Sequence, residues 1–96
     1  MQRRPPNEVW RVLRRKVWER DRGRCKHCGR EVSLREAHID HINTAPGVAG
    51  NGIGNLRTLC RACHVLREDN THRGMIAAAL RDGIIPPDWR SRVWRG

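Results

Sequence analysis

The chain has 96 residues and a mass of 11.1 kDa, which is enough for one small domain. Its apolar runs are far shorter than the roughly 20 residues needed to cross a bilayer, which argues against a membrane protein. The N-terminal residues lack the apolar stretch of a secretory signal, so we expect a cytoplasmic protein. An apolar core of this size gives only marginal stability by itself, and the composition therefore predicts a covalent cross-link or a bound metal ion that stabilises the fold.

The charge balance indicates a polyanionic partner. The chain carries 20 Lys and Arg against 10 Asp and Glu, a formal net charge of +10, and only Lys16 and Lys26 are lysines. Arginine presents a planar fork of donors that matches phosphate. The pattern favours a nucleic-acid binder over a merely solvated basic surface, but charge alone does not distinguish DNA from RNA.

The first predicted element is a helix over residues 8–22, capped by Asn7 and ended by Gly23. Its apolar positions follow helical spacing and predict one buried face, formed by Val9, Trp10, Val12, Leu13, Val17 and Trp18. Residues 34–42 then resemble an extended segment. Residues 43–55 are rich in Gly and Asn and predict a loop.

The second half of the chain predicts short elements. Residues 56–59 indicate a strand or turn, and residues 60–69 a short helix. Another helix is expected from Thr71 or Met75 to Asp82, capped by Gly83, before two prolines and a basic tail. In that tail Trp89 and Trp94 are interpreted as anchors more readily than as base-stacking groups.

Four cysteines form two C-x2-C pairs, one at Cys25 and Cys28 and the other at Cys60 and Cys63. Two such pairs are the usual ligand set of a tetrahedral structural zinc site. The alternative is two disulfides, which a reducing compartment disfavours. The 31 residues between the pairs exceed the usual spacing and predict a functional insert.

The motifs around the second pair carry a family resemblance. REAHIDHI, the Gly-rich loop and NLRTLCRACH follow the first pair in that order, and the pattern resembles the zinc-containing HNH endonucleases over about residues 18–67. The resemblance implies a small α+β fold with a ββα-metal (His-Me finger) core, stapled by a four-cysteine zinc site and flanked by N- and C-terminal helices. It implies one HNH domain over residues 1–96, with a basic arm at 1–7, the core and N-terminal helix at 8–70, and a C-terminal helix and basic tail at 71–96.

The resemblance also implies roles within the motifs. His41 is the expected general base, which suits a group that titrates near neutral pH. Asp40 and His64 are the expected ligands of a catalytic divalent ion, Mg²⁺ or Mn²⁺, and Asn55 is expected to orient the loop that carries His41. Strand alternation puts His38 on the same face as Asp40, so it is predicted to be either an accessory ligand or a partner of a ligand.

Arginines supply the expected grip on the nucleic acid backbone. Arg14 and Arg15 lie on the polar side of the first predicted helix, and Arg67 follows the last motif. Many family members have Lys and Thr where this chain has Arg67 and Glu68, and the proline that usually follows the Asp-His-Ile motif is displaced to Pro46.

The sequence thus predicts a metal-dependent DNA endonuclease that nicks or cuts double-stranded DNA and leaves 5′-phosphate and 3′-hydroxyl ends. The expected setting is the cytoplasm of a bacterium or a phage-infected host, where the chain acts as a monomer or weak homodimer, with phage packaging or other DNA-processing proteins as partners. The principal alternative is a non-catalytic zinc module that binds DNA. A third interpretation, an RNA-binding knuckle protein, is disfavoured because the chain has no Phe or Tyr for base stacking.

Overall fold

The computed structural model describes residues 7–43 and 52–95. It has a small α+β fold, as predicted. Residues 1–6 of the basic arm, most of the Gly-rich loop and Pro46 lie outside the described residues. The elements are α1 (Asn7–Arg20), β1 (His38–His41), β2 (Leu56–Leu59), α2 (Arg61–Leu66) and α3 (Arg73–Arg81), with single 3-10 turns at Ile53–Asn55, Glu68–Asn70 and Trp89–Arg92.

The centre of the fold is an antiparallel pair of strands followed by a helix. Asp40 of β1 pairs with Arg57 of β2, and His41 pairs with Leu56. Helix α2 follows β2 directly and packs on both strands, which gives the order β-β-α. This order is the arrangement that the family resemblance implied.

Helix α1 differs at both ends from its prediction. Asn7, expected as the cap, is already helical, and the helix stops at Arg20, two residues earlier than expected. The backbone turns because Arg22 and Gly23 have φ angles of 57° and 63°. A Cβ atom at Gly23 would lie only 3.1 Å from the ring of Trp18, so the close contact and the positive φ together favour glycine at this position.

The buried face of α1 is narrower than the apolar pattern indicated. Trp10 and Val17 are buried and pack with Leu56 of β2. Val9 and Val12 are instead 50% and 53% exposed, which corrects their assignment to the core. The sheet beneath the helix has only two short strands, so it covers one row of side chains.

The later elements are shorter than predicted. Only residues 38–41 of the expected extended segment form a strand, because a turn at Ser33 accepts the backbone N–H groups of Glu36 and Ala37. Residues 56–59, which were predicted to form a strand or a turn, form a strand. Helix α3 begins at Arg73, and Gly83 follows it with a φ of 70°, as its capping role requires.

Helix α2 ends at Leu66 because the C-terminal tail pairs with the residues that follow it. Trp94 donates its backbone N–H to Leu66 and accepts one from Glu68, so residues 67–70 leave the helix. The indole Nε1 of Trp94 donates to the carbonyl oxygen of Cys63 at 2.8 Å, and its ring stacks on His27 at 3.8 Å. Trp94 therefore anchors the tail to both cysteine pairs.

A buried carboxylate joins the end of α1 to the sheet. Asp21, 7% exposed, accepts the backbone N–H of Thr58 at 2.8 Å and two donors from Arg20. Arg20 also donates to the carbonyl oxygens of Ile53 and Leu56, which fixes the entry to β2. None of the helices in the described ranges is long and apolar enough to cross a membrane.

Candidate functional site

The four cysteines come together as the sequence predicts. Their sulfur atoms all lie within 4.8 Å of one another, and none of the four forms a disulfide. The Sγ atoms of Cys28 and Cys60 are 3.9 Å apart, whereas a disulfide requires about 2.05 Å. Tetrahedral Zn–S bonds of about 2.3 Å place ligand sulfurs about 3.8 Å apart. The cluster therefore could hold a structural zinc ion.

The first turn of α2 favours the thiolate form that a metal needs. Cys60 caps this helix, and its sulfur accepts the backbone N–H of Cys63 at 3.5 Å. The hydrogen bond from the Cys63 thiol, together with this N–H, lowers the pKa of Cys60 to about 4 despite its burial. A thiolate is the metal-binding form of cysteine, so this local geometry suits a cation.

Asp40 and His64 meet beside this cluster. Asp40 is 3% exposed, and its Oδ1 atom lies 3.9 Å from Nε2 of His64. Two ligands about 2.1 Å from one octahedral ion lie between about 3.0 Å (adjacent) and about 4.2 Å (opposite) apart, so the separation of this pair is within the range that one divalent cation could bridge. His64 follows Cys63 directly, and its carbonyl oxygen accepts the side-chain amide of Asn70 at 2.9 Å, which fixes its place on α2.

The other oxygen of Asp40 is held by two arginines. Arg57 donates to Oδ2 from Nε at 3.0 Å and lies 2.9 Å away through NH2. Arg67 donates to the same oxygen at 2.8 Å. Only Oδ1 is left facing His64, so Asp40 is arranged to offer a single oxygen.

His38 contacts the second nitrogen of His64. The two Nδ1 atoms are 3.2 Å apart, so one ring donates and the other accepts. Desolvation, the neighbouring His64 and nearby arginines lower the pKa of His38, and desolvation and Arg67 lower that of His64 although Asp40 raises it. Both rings therefore favour the neutral state. The Nδ1 atom of His38 thus faces His64, and the two roles expected for His38, accessory ligand or partner of a ligand, both stay predictions.

His41 lies next to Asp40 on β1, and alternation directs these two side chains to opposite faces of the strand. The ring of His41 stacks against Trp10 of α1, with centroids 6.2 Å apart and an angle of 11°. Asn55 is buried just before β2. Its Oδ1 accepts the backbone N–H of Asn43 at 2.8 Å, and its Nδ2 donates to the Asn43 carbonyl at 3.1 Å.

The predicted DNA-binding arginines occupy different environments. Arg15 is exposed and lies 3.4 Å from Glu19. Arg14 is half-buried, and its NH2 donates to the carbonyl oxygen of Ala37 at 2.8 Å. Arg67, predicted to contact phosphate, is buried, and its terminal nitrogens donate to protein oxygens instead of facing solvent.

Sequence reasoning missed Arg57. Its signal was available in the antiparallel register, because Arg57 stands directly opposite Asp40 in the strand pair. A charged residue facing a buried carboxylate across a ladder is a natural ion-pair partner. Without the register, however, this arginine is one of many in a basic chain.

An open groove of about 420 Å³ runs beside the two histidines. Basic and aromatic groups line it, and its walls are Trp10, Arg14, Arg35, Ala37, His38, Ile39 and His64. The described residues that line it include no acidic side chain. The groove is thus suited to a phosphate-bearing chain next to the Asp40–His64 pair.

Comparison with known proteins gives one result for this chain. Searches of curated proteins and of solved structures found no match. The family model described as HNH endonuclease matches residues 25–70, a segment that holds both cysteine pairs, both strands and α2. Members of this family are generally endonucleases that act on DNA. Residues 25–70 are therefore similar to the HNH endonuclease family, the family that the sequence motifs indicated.

Proposed function

We propose that this chain is a metal-dependent DNA endonuclease, with His41 as the general base and Asp40 and His64 as ligands of one divalent ion, Mg²⁺ or Mn²⁺. The observation that carries the proposal is the 3.9 Å approach of Asp40 Oδ1 to His64 Nε2 inside the segment that is similar to the HNH endonuclease family. Both atoms can bind a cation, and Asp40 is positioned to contribute one oxygen.

The cysteine cluster has a positioning role in this proposal. A zinc ion held by the two pairs would fix the first turn of α2, where His64 immediately follows Cys63. The first pair is tied to the sheet as well, because the backbone N–H of Lys26 donates to the carbonyl oxygen of Thr58 at 2.9 Å. Zinc binding would therefore fix the His64 end of the catalytic site relative to the strand that carries Asp40.

The catalytic ion would neutralise charge that develops on the phosphate. The residues of the chain supply the remaining chemistry. Because Asp40 and His41 point to opposite faces of β1, a phosphodiester lying across the end of this strand would contact both sides of the site. His41 would then take a proton from the attacking water. Asn55 would fix the backbone two residues beyond His41 through its contacts with Asn43.

The DNA would approach along the groove beside His64. Arg35 and Arg14 line this groove, and Arg15 lies exposed on the same helix as Arg14. These are backbone contacts, so little sequence preference is expected from the domain. One Asp-His pair would cut one strand, and double-strand cutting would then need either a homodimer or two successive events on one monomer. We place the activity in the cytoplasm of a bacterium or a phage-infected host, alongside phage packaging or other DNA-processing proteins.

One observation favours a second candidate, a non-catalytic zinc module that binds DNA. Asp40 already has two arginine partners, which is also what a purely structural buried carboxylate would show. Under this alternative the zinc-loaded chain binds DNA but does not hydrolyse it.

Plasmid nicking separates the two candidates. Supercoiled plasmid is incubated with zinc-loaded protein in Mg²⁺, Mn²⁺ or EDTA, beside His41→Ala and the control His72→Ala. His72 is exposed and precedes α3, away from the HNH motifs. We expect nicked circles from wild type and His72→Ala only, and none in EDTA. DNA binding without cleavage in either ion would replace the endonuclease with the non-catalytic module.

A further inference from the structure

We propose that Arg67 is a positioning residue that orients Asp40 and the backbone of His41, and that it does not bind DNA. This inference rests on the proposed function, because it concerns the ligand and base of the same site. It assigns to Arg67 a role different from the phosphate contact that its place after the Cys-His motif suggests.

The contacts of Arg67 converge on one short stretch of β1 and its end. Its NH1 donates to Oδ2 of Asp40 at 2.8 Å and to the carbonyl oxygen of His41 at 2.5 Å. Its NH2 donates to the carbonyl oxygen of Ile42 at 2.6 Å and lies 3.4 Å from Asp69. One guanidinium from the end of α2 therefore contacts the expected ligand, the expected base and the residue after it.

Burial separates Arg67 from DNA. The residue is 3% exposed, and both of its terminal nitrogens already have protein acceptors. A phosphate could reach these nitrogens only by displacing Asp40 or the carbonyl oxygens, and the freed buried groups would lose their partners. Leaving such groups unpaired is costly, so a phosphate role conflicts with the packing.

Arg57 completes the arrangement from the opposite strand. It contacts the same Oδ2 atom, and its guanidinium carbon lies 5.0 Å above the ring of Trp94. Rotation of the Asp40 carboxylate would break the contacts of both arginines. The two arginines thus keep Oδ2 occupied and leave Oδ1 directed at His64.

The shape of the side chain matters as well as its charge. A guanidinium serves a carboxylate and two carbonyl oxygens from two nitrogens held in one plane, whereas a lysine offers a single ammonium nitrogen. Arg67→Lys therefore preserves charge and removes the planar fork. Arg67→Gln removes the charge. A phosphate contact would be sensitive mainly to the second change, whereas a positioning role is sensitive to both.

The experiment measures Mn²⁺ binding and DNA binding separately on zinc-loaded protein. Calorimetry gives the Mn²⁺ affinity without DNA, and DNA affinity is measured without added Mg²⁺ or Mn²⁺ and without a chelator, over a range of salt concentrations. We expect Arg67→Lys and Arg67→Gln to weaken Mn²⁺ binding and lower kcat by about 10- to 100-fold. Their DNA affinity and salt slope should equal those of the control Arg81→Gln or of wild type. Arg81 is an exposed arginine at the end of α3, with 75% of its side chain accessible.

Each result decides between the roles. Wild-type Mn²⁺ affinity and kcat in Arg67→Lys, with a salt slope lowered by about 1 in Arg67→Gln, would overturn the positioning role and restore a phosphate contact. If wild type does not bind Mn²⁺, or if its Mn²⁺ binding persists in Asp40→Asn, the proposed function fails and this inference fails with it. If the Arg67 variants lose zinc, Arg57→Gln provides the same test, because Arg57 contacts the same Asp40 oxygen and is less buried. A wild-type Mn²⁺ affinity in Arg57→Gln would then overturn the proposal that the two arginines orient Asp40.

Discussion

The contact between Asn55 and Asn43 gives a sharp prediction for the end of β1. Asn55→Ala removes an accepted and a donated hydrogen bond, at 2.8 and 3.1 Å. Each is worth about 0.5–1.5 kcal/mol, and because Asn43 is exposed, water can replace part of the loss. We expect a fall of about 1–3 kcal/mol in the free energy of unfolding, less than the total stability of a typical domain.

The consequence for activity should exceed the consequence for folding. Asn55→Ala frees the backbone two residues after His41, and a displacement of about 1 Å at a reacting group can cost about 100-fold in rate. Urea unfolding of zinc-loaded protein and plasmid nicking, both at 25 °C, measure the two effects. Asn55→Asp separates the two bonds, since it keeps the acceptor for the Asn43 N–H and replaces the donor by a buried carboxylate oxygen that faces the Asn43 carbonyl. Wild-type nicking by a destabilised but folded Asn55→Ala variant would refute the orienting role.

Three further predictions concern stability. Burial raises the pKa of Asp21, but hydrogen bonds from Arg20 and Thr58 outweigh it and hold the pKa below 3.8. Asp21→Asn should therefore lower the free energy of unfolding, measured with urea, by about 1–3 kcal/mol. The difference between variant and wild type should stay constant from pH 8 to 5 and disappear only as the pH falls through the lowered pKa of Asp21. Trp94→Ala should lower the free energy of unfolding by about 3 kcal/mol, whereas Trp94→Phe, which keeps the stack on His27 and loses only the indole hydrogen bond, should lower it by about 1 kcal/mol. Equal melting temperatures for the two variants would show that the stack and the burial of the ring are not the main contributions. Chelation of zinc at pH 7 should abolish cooperative unfolding followed by circular dichroism, and an unchanged transition would show that the cysteine cluster does not support the fold.

Local sequence patterns predicted which helices and strands form better than they predicted the residues at which these elements begin and end. The cysteine spacing and the strand order follow from motifs that are continuous in the sequence. The boundaries of α1 and α2 depend on distant partners instead: α1 ends where Asp21 reaches Thr58, and α2 ends where the tail pairs beside Leu66. Such pairings join residues far apart in the chain, and periodicity contains no information about them.

The site was predictable in its residue types but not in all of its contacts. Asp40 and His64 were singled out from their motifs, and they lie together as the proposal needs. Arg67 was predicted as a phosphate contact because the composition is basic, whereas the structure places it in a buried ion pair with Asp40 of β1. Charge identifies what a chain binds, but burial decides which charges are available to bind it.

The anchoring of Trp94 has a consequence for the C-terminal tail. The tail is held by the Cys63 carbonyl and the His27 ring, both of which belong to the cysteine cluster. Loss of a zinc ion from the cluster would disturb the loop that carries His27 and the first turn of α2 together, so the tail would lose both attachments at once. The metal content of the cluster would therefore decide whether the arginine-rich tail is held against the domain.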